Sequence, residues 1–334
     1  MCYCRGTLIL TDRGEVAVED LGIGDRVMTI SGEAKPVKWL GHRAYDGRFV
    51  AGNRAMLPVR IRAGALADGV PVRDLCVSPG HALLIAGLLV RAEYLVNGAT
   101  VTQDTAAERV EYFHVELETH DILIADGAPA ESYIDCDNRA KFHNAGDFAR
   151  LYPDDERPRW QYCAPLLDWD SPELNAIRAK LMGRAGPLGH RLDLNPDLHL
   201  VVDGTVIPPA SIDGQSYRFA VPAGAATVAL ASRTAVPAEV RADSRDRRWL
   251  GVPFDHLVLF DDQLFIQAEH GHPALDDGFH DDEATHRWTG GLAHLPERWV
   301  RSFPGEFAIE VRLIPSELPY RLPPIAPAAT RRAA

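Results

Sequence analysis

A cysteine at position 2, followed by Tyr3-Cys4-Arg5-Gly6-Thr7, is placed to attack the peptide bond on its own N-terminal side. An amide-to-thioester shift of that kind needs four things. They are a thiol, a group that protonates the departing amide nitrogen, donors for the oxyanion and a strained scissile bond. Cys2 offers the thiol. Ser78-Pro79-Gly80-His81 offers a hydroxyl and an imidazole bracketing a tight turn, so both side chains can point at one locus. His120, in Glu118-Thr119-His120-Asp121, is a second imidazole among carboxylates, and a carboxylate beside an imidazole raises its basicity and fixes its tautomer. His42, His114 and His143 read as turn, surface or packing residues, because a lone histidine more often fills such a place than catalyses. Cys4 reads as a passive strand residue, and Cys76, Cys136 and Cys163 as reduced thiols, several of them buried.

These groups have to be carried by short strands. Val16–Val18, Val27–Thr29, Pro36–Leu40, Pro58–Arg62, Val110–Leu117 and Asp121–Ala125 are apolar or alternating runs, and Gly14, Gly24, Gly32, Gly41 and Gly47 punctuate them. Many short strands at close spacing predict an all-β domain over residues 2–140. Arg139 to Leu151 can form a helix, after which Tyr152–Pro158, rich in Pro and Asp, breaks the chain. Ser171-Pro172-Glu173 supplies an N-cap, a first-turn proline and an acidic residue for a second helix, with Leu174, Ile177, Leu181 and Met182 at helical spacing and Gly183 or Gly186 to end it. Residues 141–190 are therefore expected to be a helical linker region. Strands return at Leu198–Val202, Tyr217–Val221, Ala226–Ser232, Leu257–Phe260, Gln263–Gln267 and Phe307–Ile314, with Asp203-Gly204 and Asp261-Asp262 as hairpin turns. Residues 191–322 are expected to form a β-sandwich-like accessory domain, and 323–334 a disordered tail. The fold class expected is mainly β throughout.

Residues 2 to about 140 resemble the Hint domain, the fold shared by inteins and the autoprocessing part of hedgehog proteins. Within it they are most similar to a bacterial group opening with Cys-aromatic-x-x-Gly-Thr. Cys2 to Asp25 carries the first block, with Gly6-Thr7, Val18-Glu19-Asp20-Leu21 and Gly24-Asp25 in place. Val77-Ser78-Pro79-Gly80-His81-Ala82-Leu83 matches the block usually written Thr-x-x-His, and Val115 to Gly127 the late block with its own histidine. Pro58 to Leu66 also reads like this bacterial group. The resemblance implies an N-to-S acyl shift with Cys2 as nucleophile. His81 would protonate the scissile nitrogen or hold it twisted, Ser78 would assist where the family usually has Thr, and His120 would position or deprotonate the thiol. A second nucleophile (water, an amine, a thiol or an alcohol) would then resolve the thioester.

Departures from the family narrow the expectation. Inteins end in His-Asn followed by Cys, Ser or Thr, whereas Gly127 is followed by Ala128-Pro129-Ala130-Glu131-Ser132-Tyr133-Ile134-Asp135. His143-Asn144 precedes Ala145 and is read as coincidence, so full splicing is not expected. Nothing resembles a sterol-recognition region. The bond ahead of Cys2 joins it to Met1, and removal of an initiator methionine would leave a free α-amine. The chain is then a fragment of a longer precursor, the product left after cleavage, or a structural relic. The activity implied is at most single-turnover self-cleavage.

Composition excludes other classes. A net charge of −12 argues against a nucleic-acid or anionic-membrane binder, which would need a basic face. No apolar run reaches membrane-spanning length and no signal peptide opens the chain, so a soluble, by default cytoplasmic, protein is expected. Five cysteines without a repeated spacing fit neither a disulfide framework nor a zinc site. No cofactor or metal is expected. The run from Glu269 to His286 is dense in potential metal ligands but reads as a polar hairpin tip, and Trp288 and Trp299 beside arginines read as packed edges. The stretch Ser232–Val252 with Gly278-Phe279-His280 and Arg287-Trp288-Thr289 resembles a β-domain attached to bacterial surface-polysaccharide and glycosyltransferase proteins. Expected partners are therefore the chain's own upstream segment and, for the second domain, a glycan or protein ligand. The competing expectation is a catalytically silent Hint scaffold whose C-terminal domain does the binding.

Overall fold

The computed structural model describes residues 2–47, 50, 52–105, 107–155 and 161–323. Of the expected tail, residues 324–334 lie outside the described residues. The chain divides into two compact units, Met1–Leu188 and Gly189–Ala334.

Alternation becomes pleat in the first unit. Val59 and Ile61 are fully buried while Arg60 between them faces solvent, as a half-covered strand requires. That strand belongs to a sheet running in the order Val101–Gln103, Val59–Ile61, Leu75–Val77, Tyr3–Cys4, Arg109–Glu116, Trp39–Asp46. The long strand Arg109–Glu116 is its spine. It pairs antiparallel with Trp39–Asp46 over eight residues, from Arg109↔Asp46 to Glu116↔Trp39, and with the opening strand through Tyr3↔Phe113 and Cys4↔Tyr112. A second sheet runs Leu88–Arg91, Ala82–Ile85, Ala128–Glu131, Ile122–Ala125, Leu8–Thr11, Arg26–Met28, Ala34–Pro36. Tyr3, Ile61, Val77 and Val115 of the first sheet and Ile9, Leu83 and Leu123 of the second share one core.

The predicted helix near residue 172 is Pro172–Ala185, and Leu174, Ile177 and Leu181 on its buried stripe join that same core. Ser171 does not cap it with its side chain; the hydroxyl donates to the Asp168 carbonyl at 2.8 Å instead. The single helix expected from Arg139 to Leu151 is broken into a short 3₁₀ turn, Arg139–Lys141, and a helix, Ala145–Leu151.

Two sheets face one apolar core in the second unit. A four-stranded sheet (Thr205–Ile207, His199–Val202, Val228–Ala231, Leu292–His294) contributes Leu200, Leu230 and Ala293. A seven-stranded sheet built around Ser216–Val221, Phe307–Leu313 and Pro253–Phe260 contributes Phe219, Ile309 and Leu257. The Asp203-Gly204 hairpin forms as expected, with both residues at positive φ (48° and 82°) between paired strands. The molecule is thus mainly β. No helix among the described residues is long and apolar enough to cross a membrane.

Candidate active site

Strand register assembles the site. Extending Tyr3↔Phe113 by one residue brings Cys2 opposite His114, on the same face of the sheet, and their side chains meet, with Sγ 3.0 Å from His114 Nε2. The turn after Leu75–Val77 grips Cys2 from the other side. Cys2 N–H donates to Ser78 Oγ at 2.8 Å, and Ser78 N–H donates to the Cys2 carbonyl at 2.9 Å. A guanidinium N–H of Arg43, on the strand Trp39–Asp46, donates to Sγ at 3.4 Å. Cys2 is wholly buried.

His81 closes the same turn, its N–H donating to the Ser78 carbonyl at 3.0 Å and its ring packing 4.4 Å from the Tyr3 ring. Only 2% of the residue is exposed, yet among the described residues neither ring nitrogen has a hydrogen-bond partner. Burial holds its pKa well below the usual imidazole range, so the ring is neutral at physiological pH. His114 is neutral for the same reason, with the Arg43 charge adding to the effect of burial. Edge contacts with Tyr133 at 4.7 Å and Phe142 at 4.5 Å fix its plane. Cys4, the other thiol nearby, is pushed well up by burial and by Cys76 and Cys2, so it stays protonated.

His120 has other partners. Its Nδ1 accepts from Cys163 N–H at 3.1 Å, and its Nε2 lies 3.3 Å from the fully buried Glu131 carboxylate. Burial works to lower its pKa, but the side chains of Cys163 and Glu131 outweigh it and push the value up to about 9. Protonation at Nδ1 competes with the Cys163 amide, so the charged ring must release that contact. Glu131 also accepts from Ala82 N–H at 2.7 Å, while its carbonyl accepts from the Tyr3 hydroxyl at 2.8 Å. His120 thus braces the turn carrying His81, and it lines a cavity of about 420 Å³ together with Cys163, Tyr133 and Lys38.

Of the residues expected at the site, Cys2, Ser78 and His81 come together. His120 was expected at the thiol, but its ring nitrogens are taken by Cys163 and Glu131, and the imidazole against Sγ is His114. Sequence reading passed over His114, Arg43 and Glu131. His114 lies 112 positions from Cys2, and the signal that could have found it was the pairing of the opening strand with the run Val110–Leu117.

A cysteine pinned at the start of an interior strand beside a turn of the form Ser-x-x-His is the arrangement expected above, and residues 1–137 match the family model described as the Hint domain. The chain carries a Hint domain. A Hint domain is a self-processing type of module. Among solved structures, the bacterial intein-like domain from Clostridium thermocellum is 16% identical, with 40% of this chain and 97% of that one covered at a TM-score of 0.29. A DnaB intein from Synechocystis sp. PCC 6803 is 12% identical, with 40% of this chain and 99% of that one covered, also at 0.29. None of the curated proteins matches this chain.

Outside the Hint domain, the polar run of the second unit resolves into pairs: His270 with Asp282 at 2.6 Å, His294 with Asp277 at 3.0 Å, His286 with Glu283 at 3.5 Å. Among the described residues the group closest to a metal-holding set is Asp255, His256 and Glu269, with ligand atoms within 4.8 Å of one another. The Arg312 guanidinium lies 4.0 Å from Asp255 and already supplies that cluster with a cation.

Proposed function

We propose that the Hint domain cleaves, or transfers the acyl group at, the peptide bond preceding Cys2 through an N-to-S acyl shift and a thioester, without full splicing. One observation carries this reading: His81 is buried with two unpartnered ring nitrogens in the turn whose Ser78 holds the Cys2 backbone. A buried polar ring without partners costs about 1–3 kcal/mol, and such a cost persists where a reacting group is the missing partner.

The steps follow from proton positions. The Cys2 thiol gives its proton to His114 Nε2, and Sγ attacks the carbonyl carbon of the residue ahead. The proton taken from the thiol is relayed from His114 to a free ring nitrogen of His81, and the C–N bond breaks as His81 gives a proton to the departing nitrogen, which becomes the α-amine of Cys2 and leaves both rings neutral again. Ser78 Oγ holds that nitrogen's N–H throughout and orients the scissile bond. A thioester is less stable than an amide, so the shift accumulates product only when a second nucleophile drains it. Asn144 supports the absence of splicing. Its amide nitrogen donates to the Leu40 carbonyl at 2.8 Å and its oxygen accepts from His42 N–H at 3.0 Å, so it ties the start of the helix Ala145–Leu151 to the strand Trp39–Asp46.

A reporter fused ahead of Cys2 and incubated with dithiothreitol or hydroxylamine tests the reading. Thiol-dependent release is expected, abolished by Cys2→Ala and slowed by His81→Ala about 100-fold or more, the usual worth of a general acid. A fusion that stays intact under every nucleophile would leave the Hint domain a scaffold and shift the search for function to ligand binding by the second unit.

A further inference from the structure

Two arginines on the first sheet's neighbouring segments sit in aromatic cages, and they differ in one respect. Arg139 packs on Trp39, Tyr133 and Phe148 with its guanidinium 3.5–5.1 Å from their ring centroids. It is fully paired, donating to both carboxylate oxygens of Glu116 at 2.5 and 2.9 Å and to Asp135 at 3.0 Å. Arg43 packs on Tyr45, Tyr112 and Phe142 at 5.2–5.9 Å. Among the described residues no carboxylate pairs with it, its Nε is buried without a partner, and its one hydrogen bond goes to Cys2 Sγ. Aromatic faces attract a cation but do not neutralise it, so a caged guanidinium lacks its anion until one forms beside it. The atom in reach that can become an anion is the sulfur.

We propose that Arg43 is the counter-ion of the Cys2 thiolate, a catalytic residue that holds the nucleophile charged. The proton leaves Sγ for His114 Nε2 at 3.0 Å, and the S–H electron pair stays on sulfur, facing the Arg43 N–H at 3.4 Å. Register places Arg43 on the face that carries Cys2. Arg43 and Cys4 both pair with Tyr112, on either side of the long strand, and Cys2 and His114 lie two residues along on the same face, where the guanidinium reaches Sγ. Among the described residues, the other titratable groups facing this pocket are Cys4 on the opening strand, Tyr45 on the strand of Arg43, and Tyr112 and His114 on the long strand; none of them is a carboxylate. Arg43 also disfavours a second positive charge on His114, so the imidazole passes its proton on rather than storing it.

The pair's part in the acyl shift rests on the reading proposed above, but the test does not. Iodoacetamide is applied to the full chain at pH 7, and alkylation of each cysteine is timed by peptide mapping. Exposed Cys163 gives the reference rate, and circular dichroism of each variant reports an intact fold. Arg43→Met fills the cage without charge and should slow Cys2 alkylation at least about tenfold, because the thiolate is the species alkylated and the cation facing it is gone. Arg43→Lys keeps the charge and should stay within about threefold of the parent chain. An unchanged Cys2 rate in Arg43→Met overturns the proposal, as does an equal loss in both variants, which would make the role steric. A fusion that never cleaves, with Cys2 alkylation still dependent on the charge at 43, would sink the acyl-shift reading and leave the ion pair standing.

Discussion

At the scale of single residues the site is defined by histidines in three different settings. Burial holds His81 and His114 neutral, whereas His120 is pushed up to about 9 by Cys163 and Glu131 against the opposing effect of its own burial. Stability then depends on pH in two directions. An unfolded histidine titrates near about 6.5, so below that pH the unfolded chain binds protons that buried His81 and His114 refuse, and stability falls as pH falls. His120 contributes fully below about 6.5 and loses its contribution as pH rises towards about 9. Melting temperature followed from pH 5 to 9.5 should peak near neutrality. His81→Phe should flatten the acid limb and His120→Asn the alkaline one; a profile unchanged by either substitution would contradict these assignments. Because His81 leaves two polar atoms unpartnered, His81→Phe, stacked on Tyr3, should also hold or raise the melting temperature while lowering reporter release. Cys2, Ser78 and His81 were legible in the sequence because two of them share one turn and the third opens a recognisable block. His114 was not, since nothing local distinguishes a reactive histidine on an apolar strand from a packed one.

Elements were legible where periodicity was local. The run Val110–Leu117 is the strand Arg109–Glu116, and the helical spacing from Leu174 yields Pro172–Ala185. Pairing between elements was not legible, and pairing is what builds the site. Gly41 illustrates the difference. It reads as turn punctuation in the sequence, but it lies inside the strand Trp39–Asp46, directly opposite His114. A Cβ there would stand 2.5 Å from the Trp39 ring and 3.0 Å from Phe142, so the glycine exists to let those rings close on the sheet. Phe142 in turn packs edgewise on His114 at 4.5 Å. Gly41→Ala should therefore cost about 1–3 kcal/mol through overpacking and should slow release by tilting the His114 plane. Chemical denaturation checks the first effect and the reporter fusion the second. A stable Gly41→Ala chain with unchanged release would mean that the aromatic layer does not position His114.

For the molecule as a whole, the match to the Hint family ends at residue 137 but the first compact unit continues to Leu188. The added segment is bound by both backbone and side chains. Leu89 N–H donates to the Pro165 carbonyl at 2.8 Å and Leu167 N–H to the Leu89 carbonyl at 2.9 Å. Arg184 donates to the Gly64 carbonyl at 2.9 Å, and Leu167, Leu174, Ile177 and Leu181 complete the core around Leu83, Leu95 and Val90. A chain ending at residue 140 would present that apolar surface to water, and each leucine of this kind is worth about 2–5 kcal/mol when removed from a core. We therefore expect a chain spanning residues 2–188 to melt cooperatively, and one spanning residues 2–140 to melt at lower temperature or bind a hydrophobic dye. Leu174→Ala in the longer chain should cost about 2–4 kcal/mol by denaturant titration, because Leu174 is fully buried. Equal melting temperatures for the two lengths would show that the helix merely rests on a core already complete without it. Truncation at residue 140 also removes the Cys163 side chain, which together with Glu131 raises the His120 pKa, so a weakened alkaline limb of the pH profile in the shorter chain gives an independent reading of the same interface.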